Sequence, residues 1–98
     1  MGLSMALFEK SVLDPRFGHV VNHDLAEYHV ATNADVGDVQ AHWVEEDDPY
    51  VNAMGSKGIG EIGIVGTAAA VSNAVWHATG VRVRDPPITL DAMLSALP

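Results

Sequence analysis

Gly58, Gly60 and Gly63 fall within six residues of one another, with Lys57 just before them and Glu61 among them. Glycine, having no Cβ, lets a backbone take positive φ and approach a ligand that a side chain would block. The run from Ile62 to Thr79 is apolar or small at nearly every position, which predicts a helix directly behind the glycines. The first N–H groups of such a helix have no partner inside it and carry partial positive charge, so they can seat phosphate or another anionic oxygen. Lys57 adds a full positive charge beside them. In the first turn of that helix, Glu61 is favoured as a carboxylate by the helix dipole and Lys57, whereas burial in an apolar site opposes ionisation. That balance suits a general base, which must be ionised yet able to accept a proton. An acidic residue there also stabilises a helix start without any catalysis, and the spacing alone admits both readings.

The same glycines match G-x-G-x-x-G, with Asp85 placed 22 residues after Gly63, near the distance of a ribose-binding acid. A small module holding a nucleotide phosphate on Gly58, Gly60 and Gly63 is therefore an alternative, as is a non-catalytic structural remnant. The dinucleotide pattern needs an apolar strand just before the first glycine, and residues 48–54 offer none. A Walker A loop is excluded because Lys57 precedes Gly58 instead of following the glycines. Of the five histidines, His19 and His23 are four apart but lie across an expected strand. His29, His42 and His77 are elsewhere, so they read as scattered histidines and not as a metal site.

The elements around this turn follow from pattern. Residues Gly2 to Phe8 read as one or two turns of apolar helix with no capping residue ahead of Met1, as if the element were cut in half. Leu7–Leu13 and the chain from His19 onward fit a β-hairpin, with Asp14 to Gly18 as its turn. Asn22–Val30 is either extended or a single helical turn, with Leu25, Tyr28 and Val30 as buried candidates. Ala34 to Asp38 is turn chemistry, and Val39–Val44 alternates as a strand with Val39, Ala41 and Trp43 on one face. The acidic run Glu45 to Asp48, followed by Pro49, ends that strand in a solvated loop.

The helix from Ile62 carries Ile64, Ala68, Val71 and Val75 on one face, and Ile62, Val65, Ala69 and Trp76 on another. Small residues Gly63, Gly66, Ala70 and Asn73 form a third. Gly80 caps it. A helix apolar on all sides belongs inside a large body, and a chain of 98 residues cannot easily surround one. Val81–Pro87 is extended and stopped by two prolines, and Thr89 caps a last amphipathic helix with Leu90, Met93, Leu94 and Leu97 at helical spacing.

Composition bounds the rest. With 48% hydrophobic and 18% charged residues the chain is globular, and its length fits a single domain. A formal net charge of -8 repels phosphate backbones and anionic membranes, which argues against nucleic acid and membrane partners. The absence of cysteine removes disulfides, thiolate zinc sites and cysteine-ligated iron–sulfur clusters from what this chain supplies. Its longest apolar stretch falls short of the roughly 20 residues that span a bilayer, and the first residues do not resemble a secretory signal, so a cytoplasmic chain is expected.

Read together, Asp35-Val36, Asp48-Pro49-Tyr50-Val51-Asn52, the run Gly55 to Gly63 and the run Arg82 to Leu90 resemble the C-terminal end of molybdopterin-binding large subunits. These belong to the xanthine dehydrogenase and aldehyde oxidoreductase family of molybdenum hydroxylases, and the resemblance runs from about Gly2 to Leu97. It implies an α+β fragment of a larger molybdopterin-binding domain, with residues 1–98 a single partial domain. The expected order is a short hairpin and strands, a glycine-rich loop, a buried apolar helix and a short terminal helix. It also implies that Glu61 is the catalytic base, taking a proton from the attacking hydroxyl while hydride leaves the substrate carbon. Lys57, Gly58, Ile59 and Gly60 would be contacts of the molybdopterin cofactor, which in some members is a cytosine dinucleotide.

Iron–sulfur clusters and FAD would sit on other domains or subunits, and the remainder of the molybdopterin-binding subunit would be an obligatory partner. An aldehyde or N-heterocycle is the implied substrate, and the chain alone would be inactive. Ile62-Gly63 after the glutamate looks more like bacterial aldehyde-oxidising members than xanthine-oxidising ones, which tend to carry prolines there.

Overall fold

A six-residue helix cannot hold itself together in water, so α1, Gly2–Leu7, depends on bonds from distant parts of the chain. In the computed structural model, which describes residues 1–97, the Ile88 N–H donates to the Ala6 carbonyl at 2.7 Å. The Ala31 N–H donates to Ser4 Oγ at 2.9 Å, and the Tyr28 hydroxyl donates to Glu9 Oε2 at 2.9 Å. Ala6, Ser4 and Ile88 are the buried residues, so the small core sits where α1 meets residues 86–89. On its other side α1 lies against the start of the long helix. A Cβ on Gly2 would come within 2.6 Å of Thr67 Cβ and 2.9 Å of Ile64 Cγ1. Gly2→Ala is therefore expected to destabilise the chain by about 1 kcal/mol, crowding outweighing the gain in helix propensity. Thermal unfolding checks this, and a higher melting temperature for the variant would mean that the close approach is not kept in solution.

The hairpin forms about the expected turn, but in place of a strand over Leu7–Leu13 only Leu13–Asp14 pairs, Leu7 belonging to α1. Strands β1, Leu13–Asp14, and β2, His19–Val20, pair antiparallel with Leu13 opposite Val20 and Asp14 opposite His19. Gly18 takes φ +68, a left-handed conformation that favours glycine, and its N–H donates to the Asp14 carbonyl at 2.8 Å. The Asp14 carboxylate accepts from the Arg16 N–H at 2.9 Å and from the Arg16 guanidinium at 2.8 Å, closing the turn. Asn22 extends the pairing with its side chain, accepting from the Val12 N–H at 2.8 Å and donating to the Lys10 carbonyl at 2.6 Å. Asp24 to Tyr28 is a single helical turn, started by Asp24 Oδ1 accepting from the Ala26 N–H at 2.9 Å. Leu25, an expected core residue, is 86% exposed there, and Val30 is also exposed.

Val39–Val44 forms no strand. A strand needs a second backbone to bond with, and among the described residues none bonds to 39–44; Val39 and Trp43 are 76% and 75% exposed. The expected continuous helix from Ile62 is also interrupted. A 3-10 turn, Ile62–Ile64, comes first, and α2, Thr67–Thr79, starts after Gly66. Of the expected face, Ile64, Val71 and Val75 are half-buried and Ala68 is exposed, and no residue of α2 is buried within this chain. Gly80 ends α2 at φ +74, its N–H donating to the Trp76 carbonyl at 2.8 Å, as expected of a C-terminal cap.

Beyond it, Ser72 Oγ donates to the Val83 carbonyl at 3.0 Å. Arg82 reaches Asn73 Oδ1 at 2.8 Å while its guanidinium lies 4.4 Å from the Trp76 ring centroid. The last helix, α3, spans Leu90–Ala96 with Thr89 at its N-cap position, and Leu90 and Leu94 of its apolar face are exposed.

These elements leave an open body. The radius of gyration is 18.3 Å, against about 13 Å for a compact domain of this length. The accessible surface is 8174 Å², against roughly 5,400 Å² for a folded monomer of this mass. Among the described residues no helix is long and apolar enough to cross a membrane.

Candidate functional site

The loop ahead of the glycines is closed by its own side chains. Lys57 Nζ lies 2.7 Å from Glu46 Oε1 and 3.0 Å from Asp48 Oδ2. Asp48 Oδ1 accepts from the Tyr50 N–H at 3.0 Å. Inside, Asn52 Oδ1 accepts from the Met54 and Ser56 N–H groups at 3.0 and 3.2 Å, and its Nδ2 donates to the Ser56 carbonyl at 2.7 Å. Gly55, at φ +64, completes the reversal by donating to the Asn52 carbonyl at 3.0 Å. An Asx turn followed by a left-handed glycine is readable in Asn52-Ala53-Met54-Gly55, yet neither Asn52 nor Asp48 stood out among the candidate residues.

Lys57 therefore does not carry a free charge toward the glycines. The two carboxylates, Glu46 before Asp48 in strength, raise its pKa. In return the Lys57 ammonium, helped by the Tyr50 N–H, holds the Asp48 carboxyl below its ordinary range. A folded-state pKa below the unfolded one gives stability that is present above the unfolded value and lost as pH falls through the folded one. Loop order is thus expected to persist down to about pH 4 and decline below it. The Tyr50 amide resonance reports this, and a signal constant from pH 6 to pH 2 would rule out the ion pair as a loop clamp.

Past the loop, the N–H groups of Gly58, Ile59, Gly60 and Glu61 donate to no acceptor among the described residues. Gly60 takes φ +52, whereas Gly58 and Gly63 do not have positive φ. No atom lies within 4 Å of where a Cβ would stand on any of the three. Glu61 is exposed, and its side chain has no hydrogen-bond or salt-bridge partner among the described residues. Its carbonyl accepts from the Ile64 N–H at 3.0 Å, while the Ile59 carbonyl accepts from the Ile62 N–H at 3.1 Å. Glu61 thus precedes the 3-10 turn and stands six residues ahead of Thr67, not in the first turn of α2. The expected influence of the α2 dipole on it falls away with that distance.

The structure brings Gly58, Ile59, Gly60 and Glu61 into one exposed run of free amides ending in a carboxylate. Lys57 abuts this run but faces the acidic loop. The chain leading into Gly58 is a turn followed by residues in no regular element, so the glycine spacing lacks the strand, turn and helix order of a dinucleotide site. A separate groove of about 610 Å³ lies between α1, α2 and the extended tail, lined by Ala6, Ala69, Asn73, Arg82, Arg84 and Ile88 among others, and Glu61 is not part of it. Asn73, placed by the sequence on the small-residue face, lines this groove. Among the described residues no three histidine, aspartate or glutamate side chains converge as metal ligands.

No protein-family model matches the chain. It is 47% identical over 98 residues to the aldehyde oxidoreductase molybdenum-binding subunit PaoC of Escherichia coli K12, covering all of this chain and 13% of that protein. It is 39% identical over 89 residues to the putative xanthine dehydrogenase molybdenum-binding subunit XdhA of the same strain, covering 91% of this chain and 12% of that protein. A probable hypoxanthine oxidase, XdhD, is 36% identical over 81 residues, which is 82% of this chain and 8% of that protein. The chain thus spans about an eighth of the length of the PaoC and XdhA subunits.

Proposed function

Because this chain belongs, as a segment, to the family of molybdenum-binding subunits of aldehyde oxidoreductase and xanthine dehydrogenase, we propose that it completes the catalytic pocket of such a subunit and supplies its general base, Glu61. The observation that carries this reading is the run of four free backbone amides from Gly58 to Glu61 ending in an unengaged carboxylate. An anionic, oxygen-rich cofactor such as molybdopterin fits that donor set. Backbone N–H groups bind such oxygens without a net charge of their own, and Gly58 and Gly60 have no neighbouring atom that obstructs approach.

In this reading Gly58, Ile59 and Gly60 hold the cofactor through their amides, and Gly60 turns the chain so that Glu61 follows at the rim. Lys57 reaches the same group only by leaving Glu46 and Asp48. The molybdenum centre, when bound, supplies oxygen transfer and takes up the electrons that leave the substrate. Glu61 accepts the proton released as the new carbon–oxygen bond forms, which requires its carboxylate to be ionised beforehand. The apolar surface left open by α2, α3 and residues 39–44 is covered by the remainder of the subunit, and iron–sulfur and flavin carriers lie outside this segment. An aldehyde is the substrate class favoured, since the 47% relative is an aldehyde oxidoreductase subunit and Ile62-Gly63 follow the glutamate here. Without the rest of the subunit the chain turns over nothing.

Replacement tests this. With this chain in place of the matched segment of the E. coli aldehyde oxidoreductase subunit, the chimera is expected to retain molybdenum and oxidise an aldehyde. A chimera that is equally active with Glu61→Ala would end the assignment.

A further inference from the structure

We propose that residues 48–57 form a built staple that fixes the position of Gly58–Glu61, and that Asp48, Asn52 and Lys57 act as positioning residues for Glu61, not as contacts of a bound group. The inference rests on the reading of Glu61 as the base and concerns how that base is held.

Two side chains, Asp48 and Asn52, close these ten residues from within, and Glu46 reaches in from outside. The Asp48 carboxylate divides its oxygens, one on the Tyr50 N–H at 3.0 Å and the other on Lys57 Nζ at 3.0 Å, so one side chain joins the first and last residues of the loop. Glu46 holds the same ammonium from outside at 2.7 Å. Asn52 occupies the middle, bonding Met54 and Ser56 through both ends of its amide.

Lys57 is the last residue whose side chain is tied to the loop, and its own N–H, like those of Gly58 to Glu61, donates to no acceptor among the described residues. An external anion would have to displace two carboxylates to recruit Lys57. Binding to the amides of Gly58 to Glu61 displaces nothing. A loop closed at its base before any ligand arrives leaves less conformational freedom to be lost when Gly58–Glu61 is engaged.

The test uses the 98-residue chain first. In amide exchange followed by NMR, Asp48→Asn and Lys57→Met are each expected to speed exchange at Tyr50, Met54 and Ser56 about threefold. Both should move the Gly58 and Gly60 resonances in the same direction, with α2 unaffected. The double variant is expected to do no more than the larger single one, because the two residues act as one contact. In the chimeric subunit the same substitutions should lower kcat while KM and molybdenum content hold, and Lys57→Arg should restore kcat by keeping the ion pair.

Additive effects in the double variant would overturn the proposal. So would a loss of molybdenum with Lys57→Met that Asp48→Asn does not share, since Lys57 would then be a contact of the bound group. If the chimera stays active with Glu61→Ala, the reading of Glu61 fails while the coupling between Asp48 and Lys57 is still measured, so the two failures are distinguishable.

Discussion

Glu61→Ala in the chimeric subunit is expected to cut aldehyde turnover by a factor of about 10² to 10⁴, the usual contribution of a positioned proton acceptor. Glu61→Gln should fall nearly as far, because the amide keeps size and polarity but accepts no proton at neutral pH. Folding should be unaffected. The Glu61 side chain bonds to nothing among the described residues, and the backbone carbonyl that accepts from the Ile64 N–H is present in every variant. Molybdenum content should also hold, since the proposed cofactor contacts are backbone amides that substitution at residue 61 leaves in place. The check is steady-state turnover beside metal analysis on the same preparations. A loss of activity that merely tracks a loss of metal would reassign Glu61 from proton transfer to cofactor retention.

Ile88→Ala carries the largest expected effect on stability, about 2 kcal/mol. Ile88 is 6% exposed, and its N–H bond to the Ala6 carbonyl ties the extended tail to α1. The value sits at the low end for such a truncation because Ile88 lines an open groove into which neighbours can relax. Leu90→Ala, two residues away on a side chain that is 75% exposed, is the control and should change stability by less than about 0.5 kcal/mol. Urea unfolding of the two variants compares them directly. Equal effects would show that this chain in solution does not distinguish its small core from its uncovered surface.

What the sequence revealed, and what it hid, divides along one line. The hairpin, the Gly80 cap, the start of α3 after Thr89 and the short α1 were all readable, because each is decided within a few residues by glycine, proline or apolar spacing. The strand expected at Val39–Val44 was not found, nor was Leu25 buried, since both depend on packing from distant parts of a chain, and among the described residues none is supplied. The break in the helix after Glu61 follows from Gly63 and Gly66, which weaken a helix interior in a run whose apolar periodicity argued for continuity.

At the site, residue types and order were legible from Gly58 to Glu61. The engagement of Lys57 was not, because it depends on how the acidic loop folds back over eleven positions to reach it. The acidic run reads as a solvated loop, and most of it is exposed, but Glu46 and Asp48 are set apart from it by a single lysine.

The surplus of roughly 2,800 Å² over a self-contained monomer, taken from the observed 8174 Å² and the expected area for this mass, has a thermodynamic corollary. Whatever binds the native form shifts the folding equilibrium by mass action, so if the rest of a subunit docks on this surface, as proposed, docking would add to the stability of the chain alone. Dilution would then act as a denaturant: a substitution far from Glu61 that loosens docking would register as a deficit of activity at low protein concentration and disappear at high concentration.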